Sequence, residues 1–315
     1  YVGSQSQALQ STFRALDAAG GSMIGFHWSD FPFLTEPINI TPQHGLFVWG
    51  QANYRWLEGK GHDCRYILPC GAWILPDEKV SSSLRAQLEK FEFKLALFDT
   101  SHAYNICYSS ESVSAFLLAA LDLLEKNPKW GAVIKPKSGA DYGALPQGAL
   151  INSKIAALVK EGRLLITERL VSPVSVAQAA DLSLCCGFGS VGVLAGAFGS
   201  RAIQWDPAGW TEHPLAKVKD QKVMFFSLDD LRAAALAASR GDRLIGDFSR
   251  WRLLTNHFDD RQAPQRVGRW IDDYMARAAL GASAPDALRF AVDAYVERNK
   301  IDGDFFKKGE WWALP

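Results

Sequence analysis

The chain has 315 residues, 48% of them hydrophobic, with 11 tryptophans, enough to fill two ordinary globular cores. Lysine plus arginine and aspartate plus glutamate both total 34, which excludes the global basic field behind non-specific nucleic-acid binding and requires any anion site to be local. No apolar run approaches the roughly 20 residues needed to cross a bilayer. The longest, FLLAALDLL, is interrupted by Asp122, which leaves only a peripheral membrane contact open.

In chain order, Leu9, Phe13 and Leu16 mark one face of a helix, SMIGFHW and GLFVWG read as strands, and RYIL at 65–68 as a third. Three strands are few for an independent doubly wound sheet, so N-terminal strands are expected to be missing and the chain to be part of a larger polypeptide. A polar helix near 81–92 follows. The next zone alternates strands at 93–98, 131–134, 163–167, 182–186 and 201–205 with helices and closes on a short strand at VMFF. Val113, Phe116, Leu117, Leu121 and Leu124 form the face of one helix, and others are expected at 151–160, 174–180 and from 190. This alternation predicts an α/β fold with a parallel sheet and right-handed crossovers. From 248 onward the pattern is helical, with stripes at Ala263, Val267, Trp270, Ile271 and Tyr274 and at Leu288, Ala291, Val292, Tyr295 and Val296.

Cys64, Cys70, Cys107, Cys185 and Cys186 have neither the even number nor the spacing of a disulfide framework or a zinc site, and no metal is expected. Adjacent Cys185 and Cys186 sit in a strand-like run and read as small buried hydrophobes, which points to a reducing, cytoplasmic compartment. The start at Tyr1 lacks the charged and apolar regions of a signal peptide, in keeping with that expectation.

Four apolar runs end in chemically loaded loops: KLALFDTSHAY, GAVIKPKS, DLSLCCGFGSVG and RAIQWDP. Ligands bind at the carboxyl ends of parallel strands, so the four loops outline one crevice. In GFGSVG, Gly187, Gly189 and Ser190 can offer backbone N–H groups, a hydroxyl and a helix dipole to a phosphate. The same segment also reads as a packing turn with Ser190 as N-cap. Its glycine spacing departs from the dinucleotide fingerprint, and it is not a Walker motif.

Lys135 and Lys137 flank Pro136, which holds the preceding residue extended, and they supply point charges for a phosphate or stand as solvated lysines. Asp206 precedes GWTEHPL with Glu212 and His213, a set that suits ribose and sugar hydroxyls; the other reading is a loop capped by Asp206 and closed by Trp210. Asp99, with His102 in the same loop, can serve as a nucleophile or stabilise an oxocarbenium ion, or cap the turn after its strand. His27, Asp30 and His44 lie at strand ends of the first zone, as a base for a hydroxyl or as structural groups. No G-x-S-x-G elbow, H-E-x-x-H helix or kinase-like set is present.

A half domain, then a parallel domain carrying KPK and GFGS, then trailing helices resembles the second two-thirds of a GT-B glycosyltransferase. LFDTS, KPKSG, QWDPAGW with its following histidine, FFSLDDL and WRLLTNHFDDRQAPQRVGRWI are similar to bacterial surface-polysaccharide transferases, among them the retaining β-Kdo transferases that use a CMP-activated sugar. The resemblance implies two Rossmann-like domains facing a cleft, with C-terminal helices returning to the N-terminal domain. Residues 1–88 would be the partial acceptor-side domain, 89–247 the donor domain, and 248–315 helices packing across both.

It further implies a metal-independent transferase with no cofactor beyond its donor, a CMP-linked Kdo or related ulosonic acid, acting on a growing lipopolysaccharide, O-antigen or capsule glycan at the inner membrane. Asp99 and His102 would then be catalytic, Lys135, Lys137, Gly187, Gly189, Ser190, Asp206 and His213 would bind the nucleotide sugar, and His27, Asp30 and His44 would face the acceptor. Sialyltransferase-like members carry a His-Pro pair near the donor phosphate, where this chain has Lys135-Pro136-Lys137. A nucleotide-sugar epimerase and a non-catalytic glycan-binding or scaffold domain of a polymerase are the alternatives. Asp259, Asp260 and Arg266 read as structural ion pairs and caps.

Overall fold

The structure is a computed structural model that describes residues 7–26, 43–58, 64–101, 108–187, 189–211, 214–217 and 222–303. The chain divides into two compact units, Tyr1–Trp73 with Leu253–Pro315, and Ile74–Arg252. The first begins with α1 (Gln7–Ala18), β1 (Ile24–Phe26), β2 (Gly45–Val48), α2 (Gln51–Glu58) and β3 (Tyr66–Pro69). Its strands pair in parallel in the order β1-β2-β3, and among the described residues they are the three that the sequence pattern predicts.

The second unit contains α3 (Glu78–Leu88), β4 (Phe93–Phe98), α4 (Ser110–Lys126), β5 (Trp130–Lys135), α5 (Gly148–Lys160) and β6 (Leu164–Ile166). It continues with α6 (Pro173–Gln178), β7 (Leu182–Cys186), α7 (Ser190–Ala197), β8 (Ala202–Trp205), β9 (Met224–Phe225) and α8 (Leu228–Ser239). All six strands are parallel, in the order β6-β5-β4-β7-β8-β9. The order reverses between β4 and β7. An open α/β sheet binds its ligands outside the carboxyl ends of the strands at such a reversal.

Local chemistry explains the helices. Ser109 caps α4 by accepting from Ser112 N, and the α4 face with Val113, Phe116, Leu117, Leu121 and Leu124 lies fully buried on the sheet. Helix α8 was not anticipated, although Ser227 caps it by accepting from Asp229 N and Asp230 N. Its alanine-rich face gave a weak periodic signal beside VMFF. Helix α2 was also not anticipated, because its polar first turn reads as a loop after GLFVWG.

The unit boundaries fall at 73/74 and 252/253, a correction to those expected at 88/89 and 247/248. Helix α3 belongs to the second unit because its capping residue Asp77 donates its backbone N–H to Ser175 Oγ at 2.6 Å and Arg85 donates to Gln178 O at 2.8 Å. Both partners lie on α6.

The chain ends with α9 (Ala263–Ala279) and α10 (Ala284–Asn299), which share a core with β2 and β3 rather than forming a separate segment. The Phe47 ring meets Trp270 and Tyr295 edge-on, each at 5.5 Å, and Tyr295 donates its hydroxyl to Pro69 O at 2.7 Å. Asn256, 1% exposed, accepts from Ala72 N at 2.8 Å. Arg266 pairs with Asp260 and lies 3.6 Å over the Phe258 ring, in line with the structural reading of that acidic and basic run. No helix among the described residues is long and apolar enough to cross a membrane.

Candidate functional site

Because β4, β5, β7 and β8 are neighbouring parallel strands, the four loops singled out in the sequence leave one edge of the second unit's sheet. Asp99 follows β4, Lys135 to Lys137 close β5, Gly187 to Ser190 join β7 to α7, and Asp206 follows β8. His27, Asp30, His102 and His213 lie outside the described residues, as does Phe188.

At the reversal point Asp99 braces two loops. Its Oδ1 accepts from Lys137 N at 2.5 Å and its Oδ2 accepts from the Tyr142 hydroxyl at 3.0 Å. Burial is the main cause that pushes the Tyr142 phenol up, with the Asp99 charge adding to it. Half-buried Lys135 donates from Nζ to Arg169 O at 3.0 Å, and burial, then the Lys137 charge, pulls its ammonium below the ordinary lysine range while Asp99 opposes. Lys137 is exposed.

The loop after β7 is shaped by close approach. Gly187 has φ +71, and a Cβ there would lie 2.3 Å from the Tyr108 ring, so both the left-handed backbone and the contact require glycine. Tyr108, buried just before α4, thereby brings the β4 loop onto the β7 loop. Burial is the first cause raising the Cys186 thiol, and the Asp99 charge is the second.

The N-cap of α7 is Gly189, which has no side chain of its own to cap the helix, while its N–H donates to Gln204 Oε1 at 3.0 Å. The reading of Ser190 as N-cap is corrected accordingly: Ser190 is the first helical residue, because the extended backbone falls at Gly189. An N-terminus without a capping side chain keeps first-turn amides for an anion, reinforced by the helix dipole.

Asp206 is fully buried, and its carboxylate serves its own loop: Oδ1 accepts from Ala208 N at 3.1 Å and Oδ2 from Trp210 N at 2.8 Å. This is the capped-loop arrangement. In the first unit, His44 is also occupied by structure. Its Nε2 lies 2.8 Å from Asp17 Oδ1, and its Nδ1 accepts from Met23 N at 3.0 Å, so the imidazole holds α1 to the start of β2. The bond to His44 is the main cause that lowers the Asp17 carboxyl.

Sequence reading missed Tyr108, Tyr142 and Gln204. A lone amide at a buried strand position between Ile203 and Trp205 was the signal available for Gln204. Among the described residues no group of three His, Cys, Asp or Glu side chains is placed to hold a metal ion.

Neither a protein-family model nor a curated protein sequence matches the chain. Among solved structures it is similar to S. aureus MnaA in a co-structure with UDP, at 15% identity and TM-score 0.51, covering 74% of this chain and 61% of that one. It is similar to Anabaena HepE in complex with UDP and glucose, at 16% identity and TM-score 0.50, over 84% of this chain and 75% of that one. A Listeria monocytogenes protein assigned as a UDP-N-acetylglucosamine 2-epimerase gives 13% identity and TM-score 0.54, over 84% and 70%. The chain thus spans 61% of the MnaA chain. At these identities the likeness is one of fold: α/β with parallel sheets and Rossmann-like units, of the GT-B type.

Proposed function

We propose that the chain is a glycosyltransferase that takes a sugar from a nucleotide donor bound by the second unit and passes it to a surface-polysaccharide acceptor. The observation that carries this reading is the N-terminus of α7, without a capping side chain, beside the strand-order reversal of a parallel sheet. Such a place suits a phosphate group, and Lys137, on the loop after β5 on the far side of β4, adds an exposed cation at the same end of the sheet.

The donor reading shifts from the one implied by motif resemblance. Two of the similar structures hold UDP, which supports a uridine diphosphate sugar over CMP-Kdo. The Kdo reading rests on the short motifs LFDTS, KPKSG, QWDPAGW, FFSLDDL and WRLLTNHFDDRQAPQRVGRWI alone. For Asp99 the two bonds to its carboxylate favour a positioning role, holding the lysine loop, over attack on an anomeric carbon. The acceptor side of the first unit rests on His27 and Asp30, since His44 is tied to Asp17.

A thermal-shift series with UDP, GDP, CDP and CMP tests the donor, since a ligand at 100 times its dissociation constant stabilises a fold by about 2.7 kcal/mol. Stabilisation by none of the four would end the donor-site reading. A second reading, nucleotide-sugar epimerase, is favoured by the fold likeness to the Listeria protein. Deuterium incorporated into the sugar of a recovered UDP-N-acetylhexosamine in heavy water would select it. Transfer or hydrolysis without such exchange selects glycosyl transfer.

A further inference from the structure

We infer that Gln204 is a positioning residue of the anion site at the N-terminus of α7, presetting it for the diphosphate of a nucleoside diphosphate; this rests on the donor-site reading above. Gln204 is fully buried in β8, yet its side chain reaches the helix cap, where Oε1 accepts from Gly189 N at 3.0 Å. The reach depends on Gly192. A Cβ at 192 would lie 2.7 Å from Gln204 Cδ and 2.8 Å from Cγ, so the last glycine of GFGSVG leaves room for the glutamine rather than for a ligand.

The bond to Gly189 fixes the orientation of the amide plane and so sets Nε2 beside Oε1 at the helix N-terminus. Nε2 is buried and has no hydrogen-bond partner among the described residues. A buried donor left unsatisfied destabilises the fold and calls for an explanation. Here its partial positive charge adds to that of the helix terminus, and an anion docked there is the group that would compensate it. The bond from Gly189 N also holds the cap residue, whose backbone is extended, against β8. Gln204 therefore acts through Gly189 and through its field, not as a group in the reacting shell.

The test measures calorimetric affinity for UDP and for inorganic pyrophosphate, with unliganded melting, for the whole chain as wild type, Gln204→Glu and Gly192→Ala. Gln204→Glu keeps the volume and an acceptor for Gly189 N, but replaces the NH2 group with a negative charge beside the anion. It is expected to fold but to melt below wild type, because a charge at this buried position is costly, and to bind both ligands at least about tenfold more weakly, as like charges at this range require. Gly192→Ala displaces the amide without adding charge and is expected to weaken both ligands several-fold; it carries the test if the glutamate variant does not fold.

Wild-type affinities in folded Gln204→Glu, or in Gly192→Ala when the former is unfolded, overturn the inference and leave the donor site standing. A wild type that binds pyrophosphate but not UDP, with the variants weakened, overturns the donor reading and leaves Gln204 in its role. Wild type that binds neither ligand overturns both.

Discussion

The Tyr142 hydroxyl donates to Oδ2 of Asp99 at 3.0 Å, and this contact joins the loop after β4 to the loop after β5 at the point where the strand order reverses. The ring is 2% exposed, so the bond is made largely out of water, where its loss is felt more. Tyr142→Phe is expected to cost about 1–3 kcal/mol, the range for a buried bond to a charged acceptor, with the denaturant slope unchanged. Urea titration of both proteins measures it, and a loss near zero would mean that the brace is made only by Lys137 N.

Asp99→Asn separates a brace from a nucleophile. The amide oxygen can still accept from Lys137 N, so the variant is expected to fold, to keep UDP affinity within a few-fold and to retain transfer. Complete loss of transfer with intact UDP binding, in an assay with authentic donor and acceptor, would return Asp99 to the chemistry.

Gly187→Ala meets two penalties at once. A non-glycine residue at φ +71 is strained by about 1–2 kcal/mol, and its Cβ collides with the Tyr108 ring, an overpacking that costs about 1–3 kcal/mol. In a Tyr108→Ala background the second penalty is relieved, so the two substitutions should be non-additive in a double-mutant cycle. Strictly additive melting changes would place the Tyr108 ring elsewhere.

Ser190→Ala should leave stability within about 0.5 kcal/mol, since Gly189 and not Ser190 caps α7. A hydroxyl that meets a phosphate contributes about 1.5–3 kcal/mol, so UDP affinity should fall at least tenfold. If the melting point drops and affinity holds, the serine serves only the helix.

The stability of the first unit should carry a signature of His257. Burial, the largest cause, lowers its imidazole below the ordinary 6.5, with Arg266 lowering it further and Asp302 opposing. The unfolded chain therefore takes up a proton as pH falls through 6.5 while the folded chain resists, so this contribution is present above 6.5 and is lost below it, down to the folded value. Comparing melting at about pH 7.5 and about pH 5.5, wild type should lose more stability on acidification than His257→Gln. Equal losses would show that the ring titrates as it does in the unfolded chain.

Much of the second unit was legible in the sequence because its signals are local. Runs such as FKLALF, LSLCC and AIQW are apolar at strand length, and each ends where a charge, glycine or aspartate breaks the pattern, so strand positions and loop contents follow from neighbours in the chain. The stripes of α9 and α10 were readable for the same reason. Helix α8 was readable in principle, since Ser227 with Asp229 and Asp230 is a capping signal.

What only the tertiary structure decided involves partners far apart in the chain. Whether Asp99 is a free carboxylate or a brace depends on Lys137 and Tyr142, and whether His44 is a base or a strut depends on Asp17. Helix α3 went to the second unit through Ser175 and Gln178 on α6, which no periodicity near residue 81 encodes. Why residue 192 is a glycine is set by Gln204, twelve residues on, whose side chain fills the space beside it. Sequence by itself determined which groups stand at the sheet edge, because backbone pattern is set within a few residues; folding determined which of those groups are already satisfied, because a hydrogen bond needs a partner brought close in space.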